Sequence, residues 1–302
     1  MNIIFMGTPD YAKVILERLI QTSAINVVAV YTQPDKPVGR KKVMTPPEVK
    51  VLAEENSIEV YQPSRLRDAD TVKELLTIKC DYIVVAAYGQ ILPREILDHA
   101  PCINLHASIL PQYRGASPIQ QTLLNGDKQT GVTAMFMEEG LDTGDIIKID
   151  TIDVDDNEMV ESLFSRLTDV AADLTVDVLE NYSSFTAVPQ DDSLSTHCSK
   201  ITKADGEVEF INAVTLYNKY RAFTPWPGIY LSSGLKLKKI SVENKTSSNE
   251  AGKILKIDSE SIVVGCREGS IRIYMVQAPS KKEIDILSYI NGKRLTLADT
   301  LS

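Results

Sequence analysis

Cysteine and histidine are scarce in this chain, and their spacing removes whole classes of chemistry. The four cysteines (Cys80, Cys102, Cys198 and Cys266) stand far apart, no C-x-x-C pair occurs, and there are only three histidines. That pattern suggests neither a zinc site nor a disulfide framework, and a reducing, cytoplasmic setting is expected. Long apolar stretches are missing too: no run reaches the roughly 18 residues that a membrane span requires. The opening Met-Asn-Ile-Ile-Phe-Met-Gly reads as a short strand, not as a charged region leading into an apolar one. No secretory signal is expected from it. Phosphate-binding signatures are also absent. No G-x-x-x-x-G-K-[ST] occurs, and the first turn, Met6-Gly-Thr-Pro-Asp-Tyr-Ala12, has one glycine where a dinucleotide fingerprint needs three. Gly7 serves a tight strand-to-helix turn there, with Thr8 or Asp10 expected to cap the helix. A nucleophile elbow, G-x-S-x-G, is missing as well.

What remains is the composition of a globular protein. The chain has 302 residues, 43% hydrophobic and 24% charged. Its core can be sizeable, and its length suits two domains better than one. A net charge of −9 argues against a nucleic-acid partner until it is divided along the chain. Residues 1–199 carry 16 Lys+Arg against 30 Asp+Glu, or −14; residues 200–302 carry 16 against 11, or +5. A tail of opposite sign points either to an anionic partner or to a solvated, lysine-rich face.

The first half alternates β-branched or aromatic runs (Ile3–Met6, Val27–Tyr31, Ile58–Tyr61, Tyr82–Ala87, Cys102–His106, Val132–Met137) with stretches of helical spacing. Strands alternating with helices predict an α/β domain with a doubly wound, Rossmann-like, mostly parallel sheet. Ile146–Val154 reads as one more strand, and Asn157–Ser183 as the helix that closes this domain, over residues 1–188. A polar stretch at 189–206 reads as a linker. Beyond it, in residues 207–302, short alternating runs broken by turn residues predict a small antiparallel, OB-like β-barrel.

One constellation carries chemistry. Asn104-Leu-His106 puts a carboxamide and an imidazole two apart on a strand, hence on one face. Between His106 and Asp142 the chain reads as a loop, a helix (Ser117–Asn125) and a strand. In a parallel sheet that crossover opens both strand ends at the same edge, so Asn104, His106 and Asp142 should converge there. The set offers donors for a developing oxyanion and a carboxylate, with no convincing covalent nucleophile. It suits direct attack by a substrate amine on an acyl carbon. An amine of pKa near 8 must first lose its proton, and a carboxyl of ordinary pKa, about 3.9, is a weak base for it. Asp142 acts directly from a setting that strengthens it, through water, or through His106; the sequence leaves these open.

Asn104-Leu-His106-Ala-Ser108-Ile-Leu-Pro111, with Arg114-Gly115 and Asp142, resembles the signature of enzymes that transfer a formyl group from 10-formyltetrahydrofolate. Further motifs resemble the methionyl-tRNA branch of that family. They are Phe5-Met-Gly-Thr-Pro-Asp10, Thr32-Gln-Pro-Asp-Lys-Pro37, Leu141-Asp-Thr-Gly-Asp145, Arg221-Ala-Phe-Thr-Pro-Trp-Pro227 and Gln277-Ala-Pro-Ser-Lys-Lys282. The likeness spans essentially the whole chain. It implies catalytic roles for Asn104, His106 and Asp142. It also implies a folate site lined by Ser108, Ile109, Leu110 and Pro111 and by Tyr88, Gly89, Gln90 and Ile91. The loop from Asp35 to Lys50 corresponds to a family insertion that enters the tRNA acceptor stem. Arg40, Lys41 and Lys42, with Lys281 and Lys282, are the implied tRNA contacts. Lys41 stands where the family has a glycine, and Ile109 where it usually has leucine. The implied partners are initiator methionyl-tRNA and a tetrahydrofolate formyl donor, with no metal, no redox cofactor and no membrane, and a monomer is expected. An amino-sugar formyltransferase and a non-enzymatic folate- or RNA-binding module are the alternatives.

Overall fold

A computed structural model describes residues 1–39 and 41–301. By its internal contacts the chain forms two compact units. The first comprises Met1–Pro118, Gln129–Asp153 and Phe164–Cys198; the second comprises Ile119–Lys128, Val154–Leu163 and Ser199–Ser302.

The elements run β1 (Asn2–Gly7), α1 (Asp10–Gln21), β2 (Asn26–Tyr31), β3 (Lys36–Val38), β4 (Val43–Thr45), α2 (Glu48–Glu55), β5 (Val60–Tyr61), α3 (Ala69–Leu75), β6 (Tyr82–Ala86), α4 (Arg94–Leu97), β7 (Cys102–His106) and β8 (Arg114–Gly115). They continue through α5 (Pro118–Asn125), β9 (Gln129–Phe136), β10 (Ile146–Asp153), α6 (Val160–Glu180) and β11 (His197–Cys198). The first unit is built on a seven-stranded sheet in the order β10-β9-β7-β6-β1-β2-β5. Strands β5, β2, β1, β6 and β7 pair in parallel. Ile3, Ile4, Phe5 and Met6 are all fully buried, as expected of a central parallel strand covered on both faces.

Two sequence expectations change here. The strand after α5, β9, pairs antiparallel with β7, so their carboxyl ends do not share an edge. The reason lies in the helix between them: residues 119–128, nearly all of α5 and the turn after it, belong to the second unit. A crossover helix lying on the sheet is what a parallel return needs. The start of α1 also differs. Its N-cap is Pro9, with no side-chain cap, and Thr8 Oγ instead accepts the Gln33 N–H at 3.3 Å. Gly7 is required for close approach, because a Cβ there would lie 2.5 Å from that of Ala12.

The second unit adds α7 (Ala213–Phe223), β12 (Ile229–Tyr230), β13 (Lys236–Ser248), β14 (Ile254–Ile257), β15 (Ile262–Gly265), β16 (Glu268–Gln277), β17 (Ile284–Asp285) and α8 (Ile286–Lys293). Its strands form an antiparallel sheet, β12-β13-β16-β15-β14, with β17 beside β16. Leu237, Ile240, Ile262, Val264, Ile271 and Ile273 are buried in it.

Candidate active site

Asn104 and His106 stand on β7, whose neighbours in the sheet are β6 and β9. Asn104 is half-buried and lies opposite Val85 and Met135; His106 is buried and lies opposite Thr133. Just past the strand the chain turns through a tight loop. Ser108 Oγ donates to the Gln112 carbonyl at 2.6 Å, and Thr133 Oγ donates to the Ser108 carbonyl at 2.7 Å while accepting the Leu110 N–H at 3.1 Å. The Ser108 hydroxyl is thus committed to the loop. The Leu110–Pro111 peptide bond is cis.

His106 Nε2 lies 2.9 Å from the Tyr113 carbonyl. A carbonyl oxygen only accepts, so Nε2 carries the proton and Nδ1 is the nitrogen that faces the site. Asp142 Oδ2 stands 3.7 Å from that Nδ1. The same oxygen accepts the Gly115 N–H at 2.8 Å. Asp142 therefore converges on His106, but from the β9–β10 loop and not from the end of a parallel strand. Gly115 is at φ +120°, and a Cβ there would come within 2.3 Å of the Cys198 carbonyl. Only glycine lets β8 lie this close to β11. Those two short strands pair in parallel, Arg114 with His197 and Gly115 with Cys198.

Residues 190–198 fall inside the stretch read as a linker, and they form the back of this site. Thr196 accepts from the amides of Tyr113 and Arg114. Gln190 reaches both Arg114 and the Asp142 backbone. Sequence reasoning missed Gln190, Thr196 and Thr133, because no local pattern marks a residue whose partner lies dozens of positions away. The Cys198 thiol sits 3.3 Å from the Tyr113 carbonyl, and burial pushes its pKa up.

The residues implied for the folate site have different surroundings. Ser108 and Leu110 are buried, whereas Ile109 and Pro111 are half-buried. In the loop after β6, Tyr88 is buried with its phenol pKa raised by desolvation, and Gly89 takes a positive φ of +76°. The Gln90 side chain bridges the Leu66 amide and the Pro63 carbonyl, while Ile91 is 82% exposed. Lys41 and Lys42 are exposed in the turn between β3 and β4, flanked by exposed Val38, Val43 and Met44. Arg40 lies outside the described residues. Lys281 and Lys282, in the second unit, are exposed beyond β16.

Residues 1–179 match the formyl transferase family, and residues 200–294 match the formyl transferase C-terminal domain. The chain belongs to the formyl transferase family. The methionyl-tRNA formyltransferase of Sulfurimonas denitrificans is 70% identical to it over 302 residues, covering 100% of each chain. That of a Nitratiruptor species is 54% identical over 302 residues, covering 99% of each. A crystal structure of an N-formyltransferase from Helicobacter canadensis, in complex with folinic acid and dTDP-3-aminofucose, resembles this formyl transferase in fold. Its TM-score is 0.69 at 18% identity, over 91% of this chain and 99% of that one. No helix among the described residues is long and apolar enough to cross a membrane.

Proposed function

We propose that this formyl transferase moves the formyl group of 10-formyltetrahydrofolate to the α-amino group of methionyl initiator tRNA, giving formylmethionyl-tRNA for translation initiation. Relatives at 70% and 54% identity over nearly the full length, both named methionyl-tRNA formyltransferase, support the substrate pair. The observation that carries the chemistry is the convergence of His106 and Asp142 beside the Gly115 amide, with Asn104 two residues away on the same strand. The amine attacks the formyl carbon, the carbonyl oxygen gains charge, and the folate nitrogen leaves with its bonding electrons. Asn104 donates to that oxygen through its carboxamide N–H, and His106 donates once its Nδ1 has taken up a proton, each such donor contributing about 10²–10³ in rate. Among the described residues no side chain engages the Asn104 carboxamide, which leaves it for substrate. Asp142 orients His106 and helps remove the amine's proton. With Nε2 held by the Tyr113 carbonyl, Nδ1 is the ring atom that can exchange a proton.

In this reading the catalytic part of the chain extends past residue 188 to Cys198, and residues 207–302 bind the tRNA, in the cytoplasm. Ser108, Ile109, Leu110 and Pro111 face the folate on one side and Tyr88, Gly89, Gln90 and Ile91 on the other. Arg40, Lys41, Lys42, Lys281 and Lys282 serve the tRNA phosphates. The deciding experiment is formyl transfer from 10-formyltetrahydrofolate to methionine-charged initiator tRNA, with charged elongator tRNA as control. Transfer to the initiator alone is expected. Equal transfer to both, or to neither, sinks the assignment of the acceptor.

A further inference from the structure

We propose that Gln190 is a positioning residue for Asp142, and that buried Arg114 fixes which way its amide points. The inference rests on the catalytic reading of Asp142 and deepens it. Asp142 holds a left-handed backbone, φ +54°, without being glycine. Such a conformation persists where the surroundings impose it. Gln190 supplies that restraint: its Nε2 donates to the Asp142 carbonyl at 2.9 Å and to the Gly144 carbonyl at 2.8 Å. Its Oε1 accepts from Arg114 Nε at 3.0 Å and Nη2 at 2.8 Å.

The orientation of the amide follows from its partners alone. A guanidinium has only donors and a carbonyl only accepts, so the oxygen must face Arg114 and the nitrogen must face the β9–β10 loop. Arg114 is 4% exposed and cannot turn away to water. Its other partner, Asp192, is 83% exposed, so solvent screens that ion pair and it does not replace the glutamine. The next residue of β8, Gly115, sends its N–H to Asp142 Oδ2. One short strand and one amide thus grip Asp142 from the carboxylate side and from the backbone side. Glutamine alone satisfies both ends. Glutamate would pair better with Arg114 but would turn oxygens toward two carbonyls, and leucine would take the acceptor from the buried Arg114 Nε–H.

The test is a cycle in the full-length enzyme with Gln190→Glu, Asp142→Asn and the double variant. Its readouts are kcat, KM for 10-formyltetrahydrofolate, KM for methionyl-tRNA, and melting temperature. Gln190→Glu should lower kcat at least tenfold while both KM values stay within about twofold. In the Asp142→Asn background the same change should cost far less, because the group it positions is already gone. Arg114→Lys, which keeps the charge but loses the two-pronged fork, should give the same pattern, and it serves where Gln190→Glu does not fold. Wild-type kcat in Gln190→Glu, or an equal loss in both backgrounds, overturns the positioning role alone. Wild-type kcat in Asp142→Asn overturns the catalytic reading itself.

Discussion

At the scale of single residues, the site depends on atoms that have no substitute. Asn104→Ala removes one donor to the developing oxyanion, and kcat should fall by about 10²–10³ with little change in melting temperature. Steady-state kinetics beside a thermal melt check this, and a kcat within twofold of the parent would remove Asn104 from the reaction. Gly115→Ala should behave differently, because its Cβ collides with backbone and not with a movable side chain. A loss of roughly 1–3 kcal/mol in stability is expected together with lower kcat. Thermal unfolding and turnover measured on the same sample test it. The thiols give a third expectation. Burial pushes Cys80 up to about 11 and Cys102 and Cys266 up to about 12, and it raises Cys198 as well. A raised thiol pKa means less thiolate at a given pH, so iodoacetamide at pH 8 should modify the native enzyme slowly and the unfolded chain fast. Rapid labelling of native Cys198, followed by mass spectrometry, would contradict its seat under β8. Asn104 and His106 were legible because their two-residue spacing has a geometric meaning by itself. Gly115 and Gln190 were not, since their meaning comes from Cys198 and Arg114, which no local pattern links to them.

At the scale of elements, long periodic runs were readable and short pairs were not. Strands β1, β2, β6 and β7 announce themselves as apolar runs between turn residues, and their parallel pairing follows. Strands β8 and β11 are two residues each, too short to carry any period. The direction of β9 was misread because α5 carries the right spacing for a crossover helix but packs elsewhere. On either side of the basic turn, Lys36–Val38 pair antiparallel with Val43–Thr45. Val38, Val43 and Met44 are exposed beside Lys41 and Lys42. Replacing Lys41 and Lys42 by alanine should weaken methionyl-tRNA binding and lower the slope of log K against log salt by roughly two. Binding of 10-formyltetrahydrofolate should not change. An unaltered salt slope would take these lysines out of the tRNA interface.

At the scale of the whole molecule, the length suggested two domains, and the change of sign between −14 and +5 pointed either to an anionic partner or to a solvated, lysine-rich face. Two compact units exist, but their membership was not legible. Residues 119–128 and 154–163 join the second unit through contacts such as Asn218 to the Leu124 carbonyl and Arg221 to the Asp155 and Glu158 carbonyls. Such pairings lie scores of residues apart in sequence. The seven-stranded sheet is complete by Asp153, whereas the back of the active site is not closed until His197 and Cys198 pair with β8. Domains form as units while the chain is still being made, amino end first. A nascent chain that has emerged as far as β10 therefore owns every strand of its sheet and both ends of the His106–Asp142 pair, yet lacks the amide and the strand that hold them in register. Every strand of the sheet thus precedes, by some forty residues of chain, the pairing that backs the site.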